Sequence, residues 1–314
     1  MDSLILSFEA IAPIFIMMIL GYFLKKIHFS DNSIFDAINS LVFKVFLPLL
    51  LFYNIYKTDT ADVFNANLVL FFLVSVAVIF VLGYIAAMCL SRDNSRRGVM
   101  LQDFFRSNYA ILGVPLAGYI CPEGSGALTS LMVAVVIPVF NTLAVVALER
   151  FRPGNNKLNM LKLIKGIITN PLIIGSITGL MFLIFKIKLP DMLEKSVKDL
   201  ANVSTPLSLI VLGAKFEFTG IKGYEKEIFA IVSARLIIVP LITVPVAMFL
   251  GFTGEALACI LIIFASPVAV SSFAMAKQMG GDENLAAQAV VLSSALCLVT
   301  LFVWIFVISL LGYF

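Results

Sequence analysis

Four charged side chains stand inside apolar sequence: Lys44, Asp103, Arg106 and Arg235. A charge within a membrane span costs a few kcal/mol on insertion scales, so each is a candidate for function. Lys44 lies one helical turn before Pro48. It reads either as a positive charge or gating switch for an anionic substrate, or as a lysine whose stem lines a bundle. Asp103 and Arg106 are three residues apart, on one face of a helix. They form either a structural ion pair near the cytoplasmic end or a proton carrier beside an anion guide. Arg235 stands in the inner third of its segment, where a long side chain can snorkel to the interface. Asn39, and Asn141 just after Pro138, are suited to hydrogen bonds between helices or to a binding site.

Two prolines stand in the middle of apolar runs, Pro115 in SNYAILGVPLAGYI and Pro267 in IIFASPVAVSSFAMAK. A mid-helix proline removes an N–H and clashes with the carbonyl four residues earlier, which would free the carbonyls of Ile111 and Ile263. Gly113 beside Pro115, and Ser266 beside Pro267, favour a true break over a kinked but continuous helix. Broken helices would offer N-termini with unpaired N–H groups and positive dipole ends, which suit an anion. Ser271 and Ser272 could add hydroxyl donors there, and the freed carbonyls could take a cation or a proton.

The elements that must position these groups are membrane spans. The chain of 314 residues is 61% hydrophobic and 13% charged, with a mean hydropathy of +1.05; soluble domains are about 45–50% apolar and about 25% charged. Runs of about 20 apolar residues recur throughout, each long enough to cross a bilayer core, and lipid forces such runs into helices. They lack the alternation of outer-membrane strands. Ten spans are expected, at 6–26, 33–55, 67–90, 98–121, 124–150, 160–185, 191–214, 226–250, 256–278 and 285–312. Short connections leave no room for an extramembrane domain. Loops after the odd spans hold fourteen Lys and Arg against five on the other side. The positive-inside rule then places both termini on the extracytoplasmic side. MDSLILSFEA has no basic n-region or small-residue cleavage site, so the first run is expected to be a retained helix.

The net charge of +3 gives no case for nucleic acid. The four cysteines form no CxxC pair and read as small hydrophobes. With one histidine, His28, and no GxSxG or P-loop, neither a metal site, a cofactor nor an enzyme is expected.

An internal repeat is also visible. Pro13 and Gly21 match Pro171 and Gly179 at an offset of 158, as Pro48 matches Pro206, while Pro115 and Pro267 pair at 152. A five-span unit is odd, so its two copies would be inverted, as in many secondary transporters with a site at the midplane.

At these residues the chain resembles the auxin efflux carrier family, which includes plant PIN carriers and bacterial malate and malonate permeases. The matching motifs are Asn108 with LGVPLAGY, NPLIIGSITGL (Asn170 to Leu180) and ASPVAVSSFAMAKQMGGD (Ala265 to Asp282), with PLSLIVLGAKF and LVFKVFLPLLLFYNI. The resemblance covers nearly the whole chain. It implies an all-α polytopic membrane protein of ten transmembrane helices, as two inverted five-helix repeats (1–150 and 151–314) with helices 4 and 9 broken and crossed. Helices 1, 2, 6 and 7 would form a scaffold, and 3–5 and 8–10 a transport part. An elevator-like movement, a homodimer and small organic anions as substrates are further implications. Asn108 matches the family's asparagine that contacts the substrate carboxylate, and Pro115 and Pro267 match its crossover prolines. Residues 67–90 contain no Asp, Glu or Lys, so the acidic support site of the plant proteins is absent.

The expected function is a secondary transporter for a small carboxylate, such as malate, malonate or an auxin-like acid, in the cytoplasmic membrane. It would be driven by its own gradient or by H⁺ or Na⁺. The alternatives are a Na⁺- or H⁺-coupled carrier of a related inverted-repeat fold, whose sodium form would want acidic ligands that the stretch between Glu255 and Asp282 lacks, and a membrane-embedded anion sensor, for which no loop offers an output surface.

Overall fold

The computed structural model describes residues 13, 16–27, 32–57, 65–109, 116, 120, 127–152, 164, 168–215 and 221–313. Helix dominates, with no strand among the described residues. After a helical stretch at 16–26 come α1 (Asn32–Leu41), a π-turn (Val42–Phe46) and α2 (Leu47–Tyr56), then α3 (Ala66–Leu90), α4 (Asn94–Phe105) and α5 (Ala127–Arg150). The second half holds α6 (Pro171–Ile184), α7 (Asp191–Lys215), α8 (Glu225–Ser233), a second π-turn (Ala234–Ile238), α9 (Val239–Phe249), α10 (Gly254–Ala265), α11 (Val270–Met279) and α12 (Glu283–Leu310).

Four helical stretches among the described residues are long and apolar enough to cross a membrane: Ser33–Tyr56, Ala66–Leu90, Leu131–Arg150 and Glu225–Phe249. The bent helix α12 makes a fifth when it is taken as one span. Their outer faces carry large exposed apolar side chains, such as Leu70, Val74, Val78 and Leu82 on α3, as expected where lipid is the solvent.

Local sequence explains the irregularities. Both π-turns directly precede a proline near the start of the next helix, Pro48 and Pro240. A proline cannot donate to the carbonyl four residues back, and a widened turn accommodates the gap. The carbonyl left free by Pro240 belongs to Leu236, and it accepts the indole N–H of Trp304 at 3.1 Å.

Close packing depends on glycines at two matched places. A Cβ on Gly21 would overlap the carbonyl of Ile210, and one on Gly179 would come within 2.9 Å of the carbonyl of Phe52. Both glycines and both carbonyl residues differ by 158, so the contact between the first helix and α7 is reproduced between α6 and α2. The aromatic rings of Phe71 and Phe72 on α3, Phe105 on α4, Phe140 on α5 and Phe264 on α10 meet beneath the crossing described next.

The break in the first half comes earlier than the pairing of Pro115 with Pro267 implies. Helix α4 ends at Phe105, well before Pro115, and Arg106 is already extended. Gly113, Pro115 and Ile111 lie outside the described residues, so the expected release of the Ile111 carbonyl falls there too. Helices α4 and α10 each span twelve residues, and Ser107 pairs with Val268 just beyond their ends. The antiparallel pairing sets Pro267 opposite Asn108 and Ala269 opposite Arg106.

Candidate functional site

Both breaks are short extended segments laid antiparallel across each other. Ser107 and Val268 form an isolated bridge. Asn108 donates its N–H to the carbonyl of Pro267 at 2.9 Å, and Ala269 donates to Arg106 at 3.4 Å. The Val268 N–H finds the Ser293 hydroxyl of α12 at 3.1 Å. Backbone groups that a helix would satisfy internally are thus paired in trans. A non-helical stretch is tolerated in a membrane protein where protein surrounds it, and Ser266, Val268 and Ala269 are all buried.

Arg106 occupies the first residue after α4. The residue is 3% exposed, and its guanidinium reaches Asn141 Oδ1 at 2.7 Å and Ser271 Oγ at 2.9 Å, with the sulfur of Met275 as a third contact. These partners are all neutral. Asn141 passes its amide on to the Ser176 hydroxyl of α6 at 3.3 Å. Helix α11 starts beside this group with Ala269 at its N-cap, whose side chain cannot cap. A buried cation with neutral partners and an uncapped helix N-terminus therefore share one place, and both favour an anion.

The expected ion pair of Asp103 with Arg106 is not formed. Ending α4 at Phe105 takes Arg106 off the helical face that Asp103 occupies. Asp103 is fully buried, and both carboxylate oxygens lack a hydrogen-bond partner. Its polar neighbour is Ser272, whose hydroxyl does not reach hydrogen-bonding geometry, and Arg106 and Arg235 are the nearby charges. Gln102, one residue before it, donates to the Ser272 carbonyl at 3.1 Å.

Arg235 does not snorkel. Its side chain is fully buried, because the second π-turn aims it at the crossing. It donates from Nε to the Ser266 carbonyl at 2.9 Å, from Nη1 to the Phe105 carbonyl at 3.2 Å, and from Nη2 to the Ile263 carbonyl. The Ile263 carbonyl is the one that Pro267 was expected to release, and an arginine has taken it.

The remaining candidates divide. Asn108 is buried at the crossing with its side-chain N–H₂ unpartnered, and the Ser266 and Ser272 hydroxyls are unpartnered as well. Asn39 is buried on α1 with neither amide atom hydrogen-bonded. Lys44 is exposed on the first π-turn and borders a crevice with Pro48, Gly175 and Thr178 that Arg106 does not line. Sequence reasoning passed over Ser176, Met275 and Ser293, which are ordinary apolar-helix residues until the fold brings them to the crossing.

At the C-terminal end of α11, Lys277 pairs with Glu283 and also with Asp36 of α1. Arg96 of α4 similarly joins Glu227 of α8 at 3.0 Å and Asp282 at 3.6 Å, with its guanidinium over the Tyr224 ring.

Comparison with known proteins agrees along the length of the chain. A family model described as "Membrane transport protein" matches residues 6–305. A relative from Methanothermobacter thermautotrophicus named "Uncharacterized transporter" is 22% identical over 303 residues, covering 95% of this chain and 97% of its own. Another from Rhizobium meliloti, named "Putative malonate transporter", is 22% identical over 298 residues and 92% of each chain.

Proposed function

The chain belongs to the membrane transport protein family, the auxin efflux carrier family of the sequence analysis, and from that premise we propose that it is a secondary transporter for a small carboxylate of the malonate and malate class. The observation that carries the substrate class is Arg106, a buried guanidinium held by Asn141 and Ser271 with no carboxylate hydrogen-bonded to it among the described residues. A carboxylate would supply a counter-charge, accept a bidentate pair from the guanidinium, and take the free N–H₂ of Asn108 and the N-terminal N–H groups of α11. The name of the Rhizobium relative points to the same class.

In this reading the chain has ten spans as two inverted five-span repeats. Support comes from the reproduced glycine contacts, from the equal lengths of α4 and α10, and from the antiparallel pairing of the two breaks. Helices 1, 2, 6 and 7 form the scaffold of a homodimer in the cytoplasmic membrane, with both termini outside. The crossing moves as part of an elevator. Asp103, a buried carboxylate without a donor, is the group through which protons would couple. It is costly to keep ionised there, and it stands near both arginines.

Flux into proteoliposomes across a panel of mono- and dicarboxylates, with pH and Na⁺ gradients imposed separately, tests the proposal. Saturable uptake of a short dicarboxylate is the expected result. Binding without flux would replace the transporter with a sensor, and absence of both would remove the carboxylate site. Asp103→Asn is expected to keep exchange of substrate while losing its acceleration by an inward proton gradient.

A further inference from the structure

We propose that Arg235 is the resident cation of the crossing: it holds the place a coupling sodium ion would take, and makes transport independent of sodium. The inference rests on the transport reading given above, and it concerns the side of the crossing away from Arg106's neutral partners.

Two helices end within reach of one guanidinium. The C-terminal end of a helix carries roughly half a negative charge on its unpaired carbonyls, so α4 and α10 together present about one. Three carbonyls from these ends, Phe105, Ile263 and Ser266, accept from the three nitrogens of Arg235. Charge and donor count both match. Oxygen-lined hollows where discontinuous helices end are suited to Na⁺, and here a tethered cation fills the hollow from a third element, the π-turn between α8 and α9. Its full burial and the absence, among the described residues, of any carboxylate hydrogen-bonded to it fit a permanent occupant. A mobile ion would have to leave, whereas a side chain cannot.

The same arrangement makes Arg235 a positioning residue. With the carbonyl ends neutralised by Arg235, Arg106 is spared for the substrate. Loss of Arg235 would leave the negative ends of α4 and α10 uncompensated beside Asp103, and the two breaks would separate.

Thermal unfolding of the purified protein tests this without relying on transport. Wild type should show the same midpoint in choline and in sodium chloride. Arg235→Ala should fall by at least about 5 °C and regain much of the loss in low-millimolar guanidinium, with no recovery in urea at equal concentration. Sodium should give Arg235→Ala partial recovery, since the vacated hollow is lined by oxygen. A wild-type midpoint raised by sodium, or an Arg235→Ala protein indifferent to guanidinium, would overturn the proposal. Should Arg235→Ala not fold, Arg235→Lys and Arg235→Gln decide. The lysine protein, which keeps the charge, should be the more stable and should ignore sodium; equal stability of the two would count against a cation at this place. Sodium replacement during wild-type uptake supplies the functional arm. Flux that needs sodium sinks the inference alone, whereas absence of carboxylate flux in any salt sinks the transport reading and leaves the unfolding result standing.

Discussion

Arg106 and Arg235 are both buried arginines, yet their partners divide their roles. Arg235 spends its donors on backbone carbonyls, and Arg106 spends them on side chains that a ligand can displace. A charged hydrogen bond contributes about 1.5–3 kcal/mol. Arg106→Gln should therefore raise the half-saturating substrate concentration roughly 10- to 150-fold, read from uptake kinetics. The unfolding midpoint should be little lowered, because the neutral amide can still hydrogen-bond and removes a buried charge. Asn108→Ala should abolish uptake without unfolding the protein, and unchanged flux would take that residue out of the site. At this scale the sequence marked the right residue types: Asn108, Asn141, Arg106, Asp103 and Arg235 all stood out as polar groups in apolar runs. Their partners were not legible, because a partner across a crossing depends on where α4 ends. Counting three residues from Asp103 to Arg106 presumes a helix that stops one residue short.

Among the elements, the break at Pro267 was legible and the break at Arg106 was not. Proline supplies an intrinsic reason for a helix to stop. Nothing in Phe105–Asn108 does so, and that stretch is extended because Pro267 and Ala269 supply its backbone partners. The offset of 158 was equally legible, since it rests on glycines that packing demands. Gly21→Leu and Gly179→Leu bring side chains against the carbonyls of Ile210 and Phe52. Each should destabilise by about 1–3 kcal/mol or more, lowering the midpoint by comparable amounts if the two contacts are equivalents. A large effect at one site and none at the other would separate the two helix pairs.

For the whole molecule, polar contacts join the crossing to the helices of the proposed scaffold, among them Asn141 with Ser176 and Lys277 with Asp36. An elevator must break both. In a background without native cysteines, a short bifunctional thiol reagent applied to Asn141→Cys/Ser176→Cys should arrest exchange, and a cleavable reagent should restore it on reduction. Full exchange by the cross-linked protein would mean that α5 and α6 never part. Composition had already settled the membrane class at this scale, while the proposed inverted arrangement of halves depends on contacts between residues more than a hundred positions apart.

The account turns on a carboxylate being carried at Arg106, and counterflow reads that most directly. Proteoliposomes loaded with unlabelled malonate are placed in labelled malonate, wild type beside Arg106→Gln, with no ion gradient imposed. Transient accumulation by the wild type, strongly reduced in Arg106→Gln at the same protein density, is the predicted result. Equal accumulation by both proteins, or accumulation by neither across short dicarboxylates, would contradict it.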